Sequence, residues 1–230
     1  TYHGIGFFDA LKWLAKEYNI QAPELERTLV THDDWKKNAT KAQILCAAQE
    51  IFRDQLSSPE GQIAQDYLNK RGFTPEQIKN LGFGYTLNHP RKLIDKLLPL
   101  NYSIQDLEEA SLASSYGHNH YDFFRHRLTI PIHDKQGKLI AFGGRALGEQ
   151  QQKYKNSRYD KSSVLFGLDR ARQQIHKTKR VIVVEGYLDA MSLWSFGFEE
   201  TVACQGTALT AKHISSLKSV TNEIFLLFDG

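Results

Sequence analysis

The feature that most constrains this chain is the alternation near its C-terminus. Arg180-Val-Ile-Val-Val-Glu185-Gly-Tyr-Leu-Asp189 runs a β-branched strand into two carboxylates, and Ile224-Phe-Leu-Leu-Phe-Asp229 repeats the device. Strands at 181–184, 201–204 and 223–228, with helices at 188–196 and 210–219 between them, predict a largely parallel sheet with right-handed crossovers. Open sheets of this kind carry their sites at the carboxyl ends of the strands. Glu185, Asp189 and Asp229 stand there as hard oxygen donors, the chemistry of Mg²⁺ or Mn²⁺.

Upstream, residues 1–120 read as mainly helical. Apolar positions 7, 8, 11, 14, 15 and 18 fit an amphipathic helix, and residues 21–40 read as a polar linker or helix entrance. Helices are expected at 40–56 and 59–71, the latter opened by Ser58 and Pro59, and a third short one follows Thr74-Pro75. Beyond Gly117 the pattern changes. Leu128–Ile132 and Leu139–Phe142 flank Asp134-Lys-Gln-Gly137 as a hairpin, in which Pro131 argues for an edge or a bulge. Gly4-Ile-Gly6 and Gly82-Phe-Gly84 read as turns, because neither has the third glycine and preceding strand of a dinucleotide loop.

Charge is uneven along the chain. Residues 121–180 hold 14 Lys and Arg against 5 Asp and Glu, whereas residues 1–120 sum to −2 and 181–230 to −4. A basic stretch directly before an acidic strand end suits a polyanion bound by counterion release beside a metal site. Arg125 and Arg127 alternate and would share one strand face. Gly143-Gly144 before Arg145 would admit a ligand close to the backbone. Lys153 and Lys161 interleave with Tyr154 and Tyr159, a mixture suited to single strands.

The strand ends resemble the Toprim fold of bacterial-type primases, topoisomerases and some nucleases, with Glu185 at its first acidic position and Asp229 at the first Asp of its Asp-x-Asp. The ordered series Ser57-Ser-Pro-Glu-Gly61, Tyr67-Leu-Asn-Lys-Arg-Gly72, Leu81-Gly-Phe-Gly-Tyr85, Phe124-Arg-His-Arg-Leu128, Ile140-Ala-Phe-Gly-Gly-Arg145, Lys153-Tyr-Lys-Asn-Ser157 and Leu165-Phe-Gly-Leu168 narrows it. Together they resemble the RNA polymerase domain of bacterial DnaG-type primases over nearly the whole chain.

The resemblance implies an α/β protein: a helical and mixed α+β basic subdomain at 1–175 and the N-terminal part of a Toprim parallel sheet at 176–230, cut short and leaving an open sheet edge. It implies synthesis of short RNA primers on a single-stranded DNA template from ribonucleoside triphosphates. Glu185, Asp189 and Asp229 would be catalytic, with Glu185 and Asp229 as metal ligands for Mg²⁺ or Mn²⁺, two ions in all. Arg125, Arg127, Arg145, Lys153, Asn156 and Lys161 would follow template and nucleotide phosphates. The family's zinc module and helicase-contacting region have no counterpart in these residues, so no zinc is expected here and the replicative helicase is a partner of the parent protein only.

Other readings remain beside it: a non-catalytic module for single-stranded nucleic acid, or a Toprim nuclease or topoisomerase, for which Tyr187 is a poor nucleophile. Asp189 in a helix's first turn is also placed to favour the macrodipole. His118, His120, His126 and His133 lack zinc-ligand spacing. Cys46 and Cys204 read as buried free thiols, no stretch approaches the roughly 18 apolar residues of a membrane span, and a cytoplasmic protein is expected.

Overall fold

Two hydrophobic layers sandwich the central antiparallel sheet, and its inner layer continues beneath a parallel one. The structure, a computed structural model, describes residues 32–148, 152–206 and 208–228, with side chains from residue 40 onward. Residues 41–230 form one compact unit; residues 1–40 form another, of which only the start of α1 is described. The amphipathic helix expected at 6–18 and Asp229 lie outside the described residues.

Helix α1 (His32–Ser57) begins inside the stretch expected to be a polar linker. Its buried Ile44, Leu45, Ala48 and Phe52 pack with Leu93, Ile94 and Leu97 of α4 (Lys92–Leu97) and Leu107 of α5 (Ile104–Glu109). Between α1 and α4 lie a 3₁₀ turn at Pro59–Gly61, α2 (Gln62–Lys70) and α3 (Pro75–Asn80). Thr74 caps α3 by accepting from the Gln77 N–H while the Gln77 side chain accepts from the Thr74 N–H, which satisfies two orphan donors at once.

The antiparallel sheet runs β1 (Gly84–Thr86), β4 (Arg127–His133), β5 (Leu139–Ala146), β6 (Tyr154–Asn156). Strands β2 (Ala113–Tyr116) and β3 (Asn119–Asp122) form a separate hairpin, turned at Gly117 with φ 59°. With β1, these strands are the exception in a stretch whose described residues, 32–120, are mainly helical as expected. Their polar Ser114, Ser115, Asn119 and His120 show no alternation, and pairing rather than burial defines them. Gly82 is a turn with φ 72°, but Gly84 opens β1.

Pro131 falls in an internal strand yet obeys the edge rule locally. β1 pairs with β4 only as far as Thr129, so Pro131 faces Phe142 of β5 on one side, and the register slips just beyond, between Ile132 and His133.

The parallel sheet orders β8 (Thr201–Ala203), β7 (Arg180–Val184), β9 (Glu223–Leu227). Val181 and Val183 pack against α6 (Leu168–Thr178) and Leu217 of α8 (Ala211–Lys218). Val184, on the opposite face, joins Leu188, Met191 and Trp194 of α7 (Tyr187–Ser195), and through them Leu128, Ile130 and Ile132 of β4. A strand buried on both faces needs an unbroken apolar run, and 181–184 supplies one. Along β9, Phe225, Leu226 and Leu227 are exposed.

Candidate nucleic-acid and metal site

Glu185 emerges, exposed, where β7 gives way to α7. Its carbonyl accepts the Gly206 N–H at 3.1 Å and the Val184 carbonyl accepts the Cys204 N–H at 3.1 Å, so the turns after β7 and β8 are laced together. Burial, reinforced by the nearby Glu185 charge, pushes the Cys204 thiol up. Cys204 is buried as expected, but Cys46 is exposed, because it falls on the outer face of α1.

Asp189 is also exposed, and one of its oxygens accepts the Gly186 N–H at 3.1 Å. The carboxylate therefore closes the first turn of α7. Among the described residues no group of three or more His, Cys, Asp or Glu is arranged to hold a metal ion. The donor chemistry nevertheless fits a hard cation: an exposed carboxylate at the carboxyl end of a parallel strand, with a second carboxylate four residues on.

The basic side chains approach from the antiparallel sheet, and the structure separates two that alternation would have paired. His126 has φ 52°, so the chain turns before β4 begins and breaks the alternation. Arg125 is exposed, its guanidinium 5.9 Å from the Tyr121 ring. Arg127 is buried and donates to the carbonyls of Gly144 (3.1 Å) and Gln152 (3.0 Å), bracing β5 against the approach to β6.

Gly143 and Gly144 make room for protein rather than for a ligand. A Cβ on Gly144 would sit 2.5 Å from the Phe124 ring, and one on Gly143 would sit 3.1 Å from both Asn156 Oδ1 and the Tyr187 ring. Arg145 projects beyond them, half-buried, and donates to the Tyr154 hydroxyl at 3.0 Å.

Asn156 is joined to the acidic loops directly. Its Oδ1 accepts from the Tyr187 hydroxyl at 2.8 Å; the Tyr159 hydroxyl donates to Gln205 Oε1 and lies 3.2 Å from that of Tyr187. Each hydroxyl carries one proton, so the simplest arrangement has Tyr187 serving Asn156 and Tyr159 serving Gln205. Gln205 Nε2 donates in turn to the Val164 carbonyl at 2.8 Å. Burial pushes Tyr159 up to about 12 and Tyr187 up further, so both stay protonated donors. Gln205 holds φ 65° immediately before Gly206, the donor to Glu185. The network thus fastens β6 to the loop that carries the acidic residue.

Lys153 is exposed at the entrance to β6. Lys161 is half-buried, which lowers its pKa, and its carbonyl pairs with His213 Nε2 at 2.8 Å. Sequence reasoning missed Lys155, whose Nζ donates to the Phe123 carbonyl at 2.7 Å and sits 3.7 Å from the Phe123 ring. Burial, then Arg127 and Arg125, pushes this lysine down, so it feels the charge of two further cations. Sequence reasoning also missed Gln205, and it read Tyr159 as part of a single-strand-binding mixture, whereas the Tyr159 hydroxyl donates to Gln205, 46 residues away, a pairing with no local signal.

A cleft of about 600 Å³, lined by Glu50, Arg53, Gln65, Asn69, Ile78 and Phe83 among others, opens between α1, α2 and α3 and takes in none of these residues. Its charges are of both signs and, among the described residues, none of the buried groups without a partner lines it, so the basic face beside Glu185 is the better candidate.

Comparison with known proteins agrees with this geometry. Residues 51–172 match the family described as the DNA primase catalytic core, N-terminal domain, and residues 182–230 match the Toprim-like family. The crystal structure of the RNA polymerase domain of Mycobacterium tuberculosis primase DnaG is similar at a TM-score of 0.79 and 30% identity, over 84% of this chain and 67% of that one. A DnaG primase catalytic domain bound to ssDNA gives 0.77 and 32%, over 85% of this chain and 64% of that one. The fold is thus of the class in which a mixed α/β polymerase-type domain meets a Toprim-like sheet.

DNA primase of Synechococcus elongatus is 36% identical over 238 residues, which take in 97% of this chain and 34% of that protein; for Haemophilus influenzae DNA primase the figures are 33%, 237 residues, 100% and 40%. The chain belongs to the DnaG-type DNA primase family, and it spans about a third to two fifths of these relatives' length. None of the helices among the described residues is long and apolar enough to cross a membrane.

Proposed function

We propose that this chain is the template-facing and metal-binding part of a primase that makes short RNA primers on single-stranded DNA from ribonucleoside triphosphates. The observation that carries the reading is the hydrogen-bonded bridge from Asn156 through Tyr187 to the loop of Glu185, which holds a basic, aromatic face and an acidic strand end together. Glu185 and Asp229 would hold Mg²⁺ or Mn²⁺, which when bound offsets the charge of the triphosphate and makes the attacking 3′-hydroxyl more acidic. Arg125, Arg145, Lys153 and Lys161 supply positive charge along the strand and nucleotide phosphates, while Arg127 and Asn156 keep β5 and β6 in place. Asp189 shapes the turn that presents Glu185.

The proposed division at residue 175 falls within α6, which lies in sequence between β6 of the antiparallel sheet and β7 of the parallel one. The replicative helicase is a partner for the longer protein, and such work would be done in the cytoplasm.

The test is labelled-ribonucleotide incorporation on single-stranded DNA with Mg²⁺ or Mn²⁺, by this chain and by the longest natural protein that carries it. Glu185→Gln is expected to cost about 100-fold or more, since even the outer partners of metal ligands are worth 10–100-fold. Salt-sensitive binding to single strands with no product dependent on Glu185 would leave only a binding module.

A further inference from the structure

His213 is a buried ionisable residue that the proposed chemistry leaves unused. It stands in the first turn of α8, shielded from solvent, with both ring nitrogens committed. A carbonyl can only accept, so Nε2 carries the proton and donates to the Lys161 carbonyl at 2.8 Å, while Nδ1 accepts the Thr210 N–H at 3.3 Å. The Thr210 hydroxyl accepts the His213 N–H at 3.1 Å and donates to the Ser162 carbonyl at 2.6 Å. A capping box normally closes on itself. Here each of its side chains also directs a proton at the loop between β6 and α6.

Those two bonds belong to a longer series. Gln205 Nε2 donates to the Val164 carbonyl at 2.8 Å, and Phe166 and Ala203 exchange backbone bonds at 2.9 and 3.0 Å. Lys161 thus meets His213, Ser162 meets Thr210, Val164 meets Gln205 and Phe166 meets Ala203, so the loop lies antiparallel along the connection from β8 to α8. The Gly206 N–H of the same connection meets the Glu185 carbonyl. Lys161 is therefore carried by the segment that laces the Glu185 turn, although in sequence it follows β6 of the antiparallel sheet.

The lysine has need of such support. Its ammonium is half-buried, burial lowers its pKa, and among the described residues no carboxylate forms an ion pair with it. On a loose loop a long cationic side chain would carry its head into water. We propose that Thr210 and His213 are positioning residues: by holding the carbonyls of Ser162 and Lys161 they fix the Lys161 ammonium relative to Glu185, where a phosphate of the nucleotide or of the strand meets it. The inference rests on the reading of Lys161 as a phosphate-contacting cation.

The experiment measures ribonucleotide incorporation by the longest natural protein that carries this chain, together with its binding of a fluorescent oligothymidylate about twelve nucleotides long, within usual site sizes. Lys161→Gln identifies the quantity that the lysine serves, the nucleotide KM or the oligothymidylate Kd. His213→Asn keeps an acceptor for the Thr210 N–H but falls short of the Lys161 carbonyl, whereas His213→Gln reaches it and suits a capping box. That quantity is expected to rise about tenfold in His213→Asn, the low end for a hydrogen bond to a charged group, and to stay within about twofold of the parent in His213→Gln. Added to Lys161→Gln, His213→Asn is expected to change it by less than about twofold, because residues that act through one another are not additive. Thr210→Gly leaves a tolerated N-cap without a hydroxyl, and it decides the matter if His213→Asn does not fold.

A rise of equal size with and without Lys161→Gln, or shared equally by His213→Gln, would make His213 a purely structural residue of α8 and overturn the inference. Parental values in both His213→Asn and Thr210→Gly would do the same. No effect of Lys161→Gln on either quantity would overturn the phosphate reading of Lys161 itself, and the inference with it.

Discussion

Asp122 puts two physical effects in direct competition. Its carboxylate accepts the backbone N–H groups of Leu93 (2.8 Å) and Ile94 (3.0 Å), so it caps α4 from the end of β3, about 30 residues away in sequence. Those bonds and the helix N-terminus favour the charged form, as does His89, while Asp95 opposes it. Burial is the larger effect: Asp122 is 5% exposed, and its pKa is raised to about 6.

An unfolded aspartate titrates near 3.9. The folded value is the higher one, so the group contributes stability that is full below about pH 3.9 and is lost as pH rises through 6. A gap of about 2 units makes the swing about 3 kcal/mol. Asp122→Asn keeps an acceptor for one of the two N–H groups and cannot titrate. Urea unfolding of both proteins from pH 3.5 to 8 isolates the contribution, because other groups cancel in the difference. Parent stability minus variant stability is expected to fall by about 3 kcal/mol across the scan. A difference that rises with pH would mean that the cap outweighs burial; a flat one would mean that the carboxyl is better solvated than its packing indicates.

Gly144→Ala is expected to cost about 1–3 kcal/mol, because its Cβ would meet the Phe124 ring at 2.5 Å; an unchanged urea midpoint would refute the close packing of β5 on that ring. Cys46 is exposed and Cys204 is buried with a raised pKa, so a thiol reagent should label Cys204 about 100-fold more slowly in the native protein and both at similar rates in denaturant. Equal native rates would place Cys204 at the surface.

Much of the architecture is written in local pattern. The apolar run 181–184 specifies a strand buried on both faces, Thr74-Pro75 starts a helix, and strand–helix alternation gives the parallel order. Glu185 was legible for the same reason, since a carboxylate following such a run must emerge at the sheet's end. The Asp134–Gly137 turn likewise announced the β4–β5 hairpin. Short polar strands such as β2 and β3 carry no comparable signal, because their partner is another polar strand and not a core.

Tertiary packing decided the rest. Two arginines two residues apart were split by the left-handed backbone at His126, which buried Arg127 on carbonyls and left Arg125 at the surface. Gly143 and Gly144 yielded space to Tyr187 and Phe124, contacts that no spacing rule contains. Tyr67 with Arg145, and Tyr159 with Gln205, meet across 78 and 46 residues. Periodicity reports which face of an element is apolar; what that face meets depends on how the elements pack, and the site is built at those meetings.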